Sequence, residues 1–281
     1  MKTNNDFIQV IVKPLVKYFI NLLRFRKGCN KPVNLLKTLY VNFACLPSLK
    51  QAIKLPILVY NGTELYKIGK IRIDCPIQFG MIKLGDNDFK VHGRGKLLNN
   101  GLIVFGGPVE ILGGFIIENN GVICLGGYIV IGSGTRFIIR NKLEIKEYVR
   151  IGFNCFFMDT DDHYMINVID KCVHRFSSPI TIGRYNWVGA HTYCKKGVKL
   201  PDYTIVASAN TLLTKDYSAL EPYCVLAGSP AKIIAKNVRR IYNMKEQCRL
   251  MEHFKNTLEK KVIVDVENME EYCLSNFFSL K

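Results

Sequence analysis

The stretch PITIGRYNWVGAHTYCKKGVKLPDYTIVASANTLL, residues 179–213, returns an apolar side chain at every sixth position. One frame lands on Ile182, Val188, Cys194, Leu200, Val206 and Leu212, and Gly183, Gly189 and Ala207 follow three of them. A helix repeats at about 3.6 residues and a strand at about 2, so a period of six fits neither. It fits a short strand plus a tight turn, three of which close one flat-sided coil of a parallel β-helix. In such a coil the frame residue points inward and stacks on its equivalent one coil away. The small residue after it lets the backbone turn the corner.

The pattern reaches towards the N-terminus less regularly. Ile111, Ile117, Ile123 and Ile129 share one frame, Leu125, Ile131 and Phe137 a second, and Ile139, Ile145, Ile151 and Phe157 a third. These frames overlap, so the register is not fixed by the sequence. The glycine pairs at 106–107, 113–114 and 126–127 read as corners, with Ile68-Gly69 and Leu84-Gly85 as irregular first coils. Phe157 and Ile182 are 25 residues apart, one more than four repeats. A loop is therefore expected to leave the stack between Asp159 and Ser178, and loops on a rigid scaffold are where function concentrates.

With 281 residues, 48% hydrophobic and 22% charged, the chain can bury a large core. No apolar run approaches the length of a membrane span, because FIQVIV is cut by Lys13 and then Lys17. It also lacks the apolar core and cleavage site of a secretory signal. Ten cysteines without a CxxC pair read as small buried thiols of a reducing cytoplasm rather than disulfides or zinc ligands.

Three parts are expected. Residues 1–65 hold ten Lys or Arg against Asp6 and Glu64, a large share of the net charge of +16. Ile8, Ile11, Val12, Leu15, Phe19, Leu22 and Leu23 follow helical spacing, with Lys13, Lys17, Arg24 and Arg26 between them. This segment reads as a cap on the open first coil. The other reading is a basic amphipathic helix on the cytoplasmic membrane surface. Nucleic acid is not an expected partner, since no binding motif or interleaved aromatic accompanies the charge. Residues 66–236 form the β-helix, and 237–281 a polar helical extension.

The segment from Pro179 to Ile234, with its IGxxxWVGA turn, VASANTLLTK run and AGSPAK ending, resembles the C-terminal coils of the hexapeptide-repeat acyltransferases. The likeness spans residues 68–236 and is greatest to the sugar O-acetyltransferases of bacterial surface polysaccharide synthesis. It implies a mainly β fold, a left-handed parallel β-helix assembled as a homotrimer, with acetyl-CoA as co-substrate and a saccharide or glycolipid as acceptor. The hand comes from the resemblance alone, because parallel crossovers are normally right-handed.

A sugar hydroxyl is a poor nucleophile at neutral pH, and histidine suits the task of taking its proton. His163, in FMDTDDHYM, resembles the family's catalytic histidine. Asp161 and Asp159 are candidates to orient its ring, and spacing does not choose between them. His191 is the rival. The resemblance places it as a lining residue and gives Ala190 the backbone N–H that stabilises the thioester oxyanion. His174 lies in the loop, while His92 and His253 read as surface or structural. Asn154 and Asp159 are candidate acceptor contacts.

The resemblance also carries the cofactor contacts. Trp187, the single tryptophan, matches the residue beside the pantetheine channel, its bland alternative being core filling at a corner. Ser208 and Ala209 match small residues along which pantetheine lies. Thr214, Lys215 and Lys232 match positions near the coenzyme A phosphates. Two departures are the longer turn between Lys215 and Gly228, and Lys236 as the next basic residue. The same fold also carries N-acyltransferases on amino sugars, zinc carbonic anhydrases and non-catalytic scaffolds. The anhydrase needs three histidines on facing coils, and His163, His174 and His191 include no closely spaced pair.

Overall fold

The computed structural model describes residues 33–86 and 93–274. The expected helix over 8–23 and His92 lie outside the described residues. Two compact units divide after Asn237.

The first unit is a parallel β-helix. Its strands fall into sheets of nine, seven and six strands, and consecutive strands of the stack pass from one sheet to the next until Lys232–Ala235, which folds back antiparallel on Val225–Ala227. Thus Val109–Leu112, Ile116–Asn119 and Val122–Leu125 lie on three different faces, and Ile129–Ile131 returns beside Val109–Leu112. An eight-tier aliphatic column follows from the register: Val59, Leu84, Ile111, Ile131, Ile151, Val188, Val206 and Leu226 pair in turn, and all are buried. The other faces contribute Leu97, Ile117, Phe137 and Phe157, and Phe105, Leu125, Ile145 and Ile182. The rings of Phe137 and Phe157 stack at 5.2 Å.

The coil length explains the overlapping frames. Ile111 pairs with Ile131 and Ile131 with Ile151, so these coils take twenty residues. Ile182 pairs with Leu200 and Val188 with Val206, so the coil that follows residue 180 takes eighteen, and the spacing widens again where Val206 pairs with Leu226. The extra residues of the longer coils sit at one corner, as Asn99-Asn100-Gly101 and Asn119-Asn120-Gly121. There Asn99 Oδ1 accepts from Gly101 N–H and Asn119 Oδ1 from Gly121 N–H, while Asn119 Nδ2 donates to Asn99 Oδ1 at 2.7 Å. All the frame residues named above are buried except Leu212. Leu213 takes its place in the core by pairing with Cys194, a slip of one residue.

The other two corners carry residues with positive φ. One holds Tyr128, Tyr148, Tyr185, Tyr203 and Tyr223, whose rings form a ladder with centroids 4.7–5.2 Å apart. Stacking against the next tier offsets the cost of a left-handed residue that is not glycine. The other holds Gly114, Gly134, Asn154, His191 and Asn210.

The chain's first described helix, Leu35–Cys45, closes the bottom of the stack. Asn34 caps it by accepting from Lys37 N–H. Val41 and Cys45 join the core, and the buried polar pair Thr38 and Asn42 faces the open edge of the strand Ile57–Val59. Asn42 Nδ2 donates to Ile57 O at 2.7 Å and its Oδ1 accepts from Ile57 N–H at 3.1 Å, while Thr38 Oγ1 accepts from Val59 N–H at 3.0 Å. An edge strand that would otherwise offer unpaired groups is thereby satisfied. The stack thus begins at Ile57, inside the stretch assigned by sequence to the N-terminal part.

In the second unit the helix Met244–Asn256 starts at Asn243, whose side chain accepts from Lys245 and Glu246 N–H. A shorter helix, Met269–Leu274, brings the carbonyl of Cys273 to Tyr242 and Asn243 N–H, both at 2.8 Å. Among the described residues no helix is long and apolar enough to cross a membrane.

The edge closure makes a definite prediction. Asn42→Ala leaves the Ile57 N–H and C=O buried without partners and should cost about 3 kcal/mol. Urea unfolding measures it, and a loss below about 1 kcal/mol would show that the helix does not close the edge.

Candidate active site

The expected loop after Phe156–Met158 is a β-hairpin arm that leaves the stack and returns at Ile180–Ile182. At its base Asp161 N–H donates to Phe176 O and Ser178 N–H to Asp159 O. Further out Ile166 pairs with Val173 and Asn167 with Cys172. Its far part exposes Tyr164, Met165, Ile166, Val168 and Ile169.

Three aspartates anchor this arm, each to a different group. Asp159 is fully buried, and its two oxygens accept from Arg140 N–H at 2.7 Å and Asn141 N–H at 2.8 Å. It does for its corner what Asn99 and Asn119 do for theirs. Burial pushes its carboxyl above the usual range, against the pull of those backbone donors. Asp161 pairs with Lys196 at 2.5 Å. Asp162 accepts from Arg140 Nε at 3.1 Å, and the same guanidinium reaches Glu118 at 2.6 Å.

Neither Asp159 nor Asp161 meets the imidazole of His163. That histidine is exposed on the arm, with no hydrogen bond or ion pair among the described residues. The expectation that one of these carboxylates orients it within the chain is not met, because both are spent on anchoring the arm. Their turn-capping and ion-pair partners lie 18 to 35 residues away, which a local motif cannot reveal. His174 Nε2 lies 3.6 Å from Cys172 Sγ on the arm, and His253 contacts Glu259 in the second unit.

The motif residues after 187 come together along the stack. Ala190 N–H donates to Ser208 Oγ at 3.2 Å, and Ala209 N–H donates back to Ala190 O at 3.1 Å. Backbone from three coils is close here. A Cβ on Gly152 would lie 2.4 Å from Ala190 N, and one on Gly189 would lie 2.5 Å from Ser208 N. Glycine is required at both positions for that N–H to stand where it does. Trp187 is 38% exposed, because its neighbour Val188 takes the inward position of their two-residue strand. It stands on the outer face between Arg150 and Ile205, so the core-filling alternative does not hold.

Lys215 and Lys232 line one cleft of about 410 Å³, with Tyr217, Leu220, Leu226 and Ala231 as its apolar wall. The Lys215 ammonium lies 5.7 Å from the centre of the Tyr217 ring. Asp216 also lines the cleft, but Lys199 holds it at 2.8 Å. With Ser218 that contact lowers its carboxyl to about 2. Neither Lys215 nor Lys232 has a carboxylate partner among the described residues, so the cleft can receive an anion. Thr214 is exposed and does not line the cleft.

Asn154 and His191 share a second cavity, of about 320 Å³, with Arg136 and Tyr193. His163 does not line it. Arg136 and Tyr193 carry no motif, and only the coil register places them beside Asn154. Among the described residues no group of three His, Cys, Asp or Glu is placed to hold a metal ion.

No family model matches the chain. Over 72 residues it is 37% identical to the galactoside O-acetyltransferase of Escherichia coli (strain K12), which covers 26% of this chain and 34% of that protein. Over 106 residues it is 29% identical to the chloramphenicol acetyltransferase of Morganella morganii, covering 38% and 47% respectively. The chain thus matches less than half the length of these curated relatives. Both are acetyltransferases, the class that the WVGA and AGSPAK motifs resemble. The solved polysialic acid O-acetyltransferase OatWY is 21% identical with a TM-score of 0.37, covering 68% of this chain and 95% of that one. The β-helix is established by the strand register of the chain itself.

The anchoring of the arm can be tested directly. Lys196 Nζ also donates to Arg175 O at 3.1 Å, so Lys196→Ala removes both an ion pair and a backbone tie at the base. Trypsin should then cut the arm at Lys171 or Arg175 about tenfold faster, corresponding to ~1.4 kcal/mol of easier local opening. The melting temperature should change little, since no core residue is touched. Unchanged cleavage would show that the base is held by other contacts.

Proposed function

We propose that the chain is an acetyl-CoA-dependent O-acetyltransferase acting on a saccharide, in the synthesis of bacterial capsule, lipopolysaccharide or exopolysaccharide. The observation that carries this reading is the succession of donor-side groups along the stack. Ala190 N–H faces Ser208 Oγ, and the cleft of Lys215 and Lys232 opens beside Leu226, which pairs with Val206. Two unpaired ammonium groups suit phosphates, and the apolar wall between them suits the pantetheine chain. Trp187 adds an exposed aromatic face on the same part of the stack.

In this reading His163 takes the proton of the acceptor hydroxyl as its oxygen bonds to the acyl carbon. Ala190 N–H, which donates to Ser208 Oγ at 3.2 Å in the unliganded chain, would be released by rotation of that hydroxyl and donate to the oxygen that becomes negative. The carbon–sulfur bond then breaks, and the proton held by His163 passes to the departing thiolate. No covalent bond to the protein forms. His163 stands exposed on an arm without a carboxylate partner of its own. It therefore suits a site completed by a neighbouring copy in a homotrimer. The basic N-terminal region would suit an enzyme working near the anionic inner face of the cell membrane, where glycolipid acceptors lie.

Acetyl-CoA binding by calorimetry and thiol release in the presence of saccharide acceptors test this. His163→Ala should bind acetyl-CoA as the native chain does, with kcat lower by about 10²–10⁴. Lys215→Ala combined with Lys232→Ala should raise the KM for acetyl-CoA about tenfold or more. Native turnover in His163→Ala would move the base elsewhere, and absence of acetyl-CoA binding by the native chain would discard the acyltransferase reading. Full activity in a monomer obtained by dilution would sink the shared site.

A further inference from the structure

The second cavity gathers polar side chains that make no side-chain hydrogen bond or ion pair among the described residues. Its position follows from the coil register. Gly134, Asn154 and His191 occupy one left-handed corner on successive tiers, with φ of +72°, +53° and +58°. Each stands two residues before a strand position of the next face, where Arg136, Phe156 and Tyr193 pair in turn. Glycine on the lowest of these tiers leaves open space, and Arg136, Asn154, His191 and Tyr193 line it. Non-glycine residues held at positive φ are a known companion of functional sites.

Arg136 is not among the arginines held by ion pairs. Arg72, Arg94, Arg140, Arg184 and Arg249 each meet a carboxylate within 3.1 Å. Arg136 meets none among the described residues, and no carboxylate lines its cavity. The Asn154 amide and the His191 imidazole likewise make no side-chain hydrogen bond among the described residues. Aromatic packing fixes the two rings instead: His191 lies edge-on to Phe153 at 5.1 Å, and Tyr193 edge-on to Phe156 at 6.1 Å. The lining thus presents a guanidinium, an amide, an imidazole and a phenol with donors to spare and no negative charge. Such a set recognises a group with two or three anionic oxygens, which a guanidinium binds in a bidentate fork.

The cavity also adjoins the reacting centre of the proposed transferase, since His191 directly follows Ala190. The donor's phosphates are already accounted for by Lys215 and Lys232. We infer that the acceptor is an acidic saccharide whose carboxylate or phosphate is held by Arg136 and oriented by Asn154 and His191. This rests on the acetyltransferase reading for its role, though not for the binding itself.

Two measurements on the full chain separate the claims. Calorimetric titration with glucuronate, glucose 6-phosphate and glucose reads the cavity without any turnover. One or both of the acidic ligands should bind and glucose should not. Which of the two binds more tightly distinguishes carboxylate from phosphate. Arg136→Ala should lose this binding while melting as the native chain does, and Arg136→Lys should recover part of it. In the thiol-release assay, acceptors bearing an acid group should exceed their neutral counterparts at least tenfold in kcat/KM, and Arg136→Ala should collapse that ratio. Equal use of neutral and acidic acceptors would overturn the inference, as would acid binding indifferent to Arg136. So would a rise in KM confined to acetyl-CoA, which would give the cavity to the donor. No thiol release with any acceptor, but Arg136-dependent binding of the acids, would sink the transferase reading while leaving the cavity an anion site.

Discussion

Side chains one coil apart must stack at the spacing of neighbouring strands, about 4.8 Å, and the rest of the molecule is arranged around that condition. The column from Val59 to Leu226 satisfies it through eight tiers. Where a side chain is inward, its neighbour is outward, and so Val188 in the core sets Trp187 on the surface. The corners inherit the same vertical order, which is why the tyrosines form a ladder and why Asn154 and His191 line one cavity. A coil touches only the coils beside it, so each end needs separate treatment. Asn42 and Thr38 provide it at the bottom by pairing with the backbone of the first strand.

The inward residues were legible because a single spacing governs them, and every frame residue after 180 up to Val206 is buried as expected. Coil length was not legible. The additional residues of the lower coils are polar and sit at one corner, so a window of six residues sees only frames that overlap. The slip from Leu212 to Leu213 escaped for a similar reason, since either leucine fits the pattern. Among the site residues, those in the WVGA, VASA and AGSPAK strings came out together, because neighbouring coils bring those short segments side by side. Asp159 and Asp161 look in sequence like partners of His163. In space they answer to backbone and ammonium groups on other coils, and proximity along the chain counted for less than the coil above or below. The tyrosine column was hidden by intervals of 20, 37, 18 and 20 residues, and Arg136 by the lack of any motif.

Electrostatics divides the cations into two kinds. Arg140 and Lys196 work inside the fold, tying the arm to the stack through Asp162, Glu118 and Asp161. Lys215, Lys232 and Arg136 do no such work and line cavities instead. The distinction is drawn by which carboxylates each can reach, so the excess of basic residues in the sequence does not by itself locate a site.

The narrowing from coils of twenty residues to the eighteen-residue coil that follows the arm has a consequence for how such a chain can grow. A tandem copy of a lower coil brings its Asn-Asn-Gly corner with it, and that corner continues the side-chain ladder of Asn99 and Asn119. A copy of the Ile182–Leu200 coil carries no such corner. The hairpin at 159–178 stands where the corner narrows, so the arm can be recast without disturbing the columns on either side.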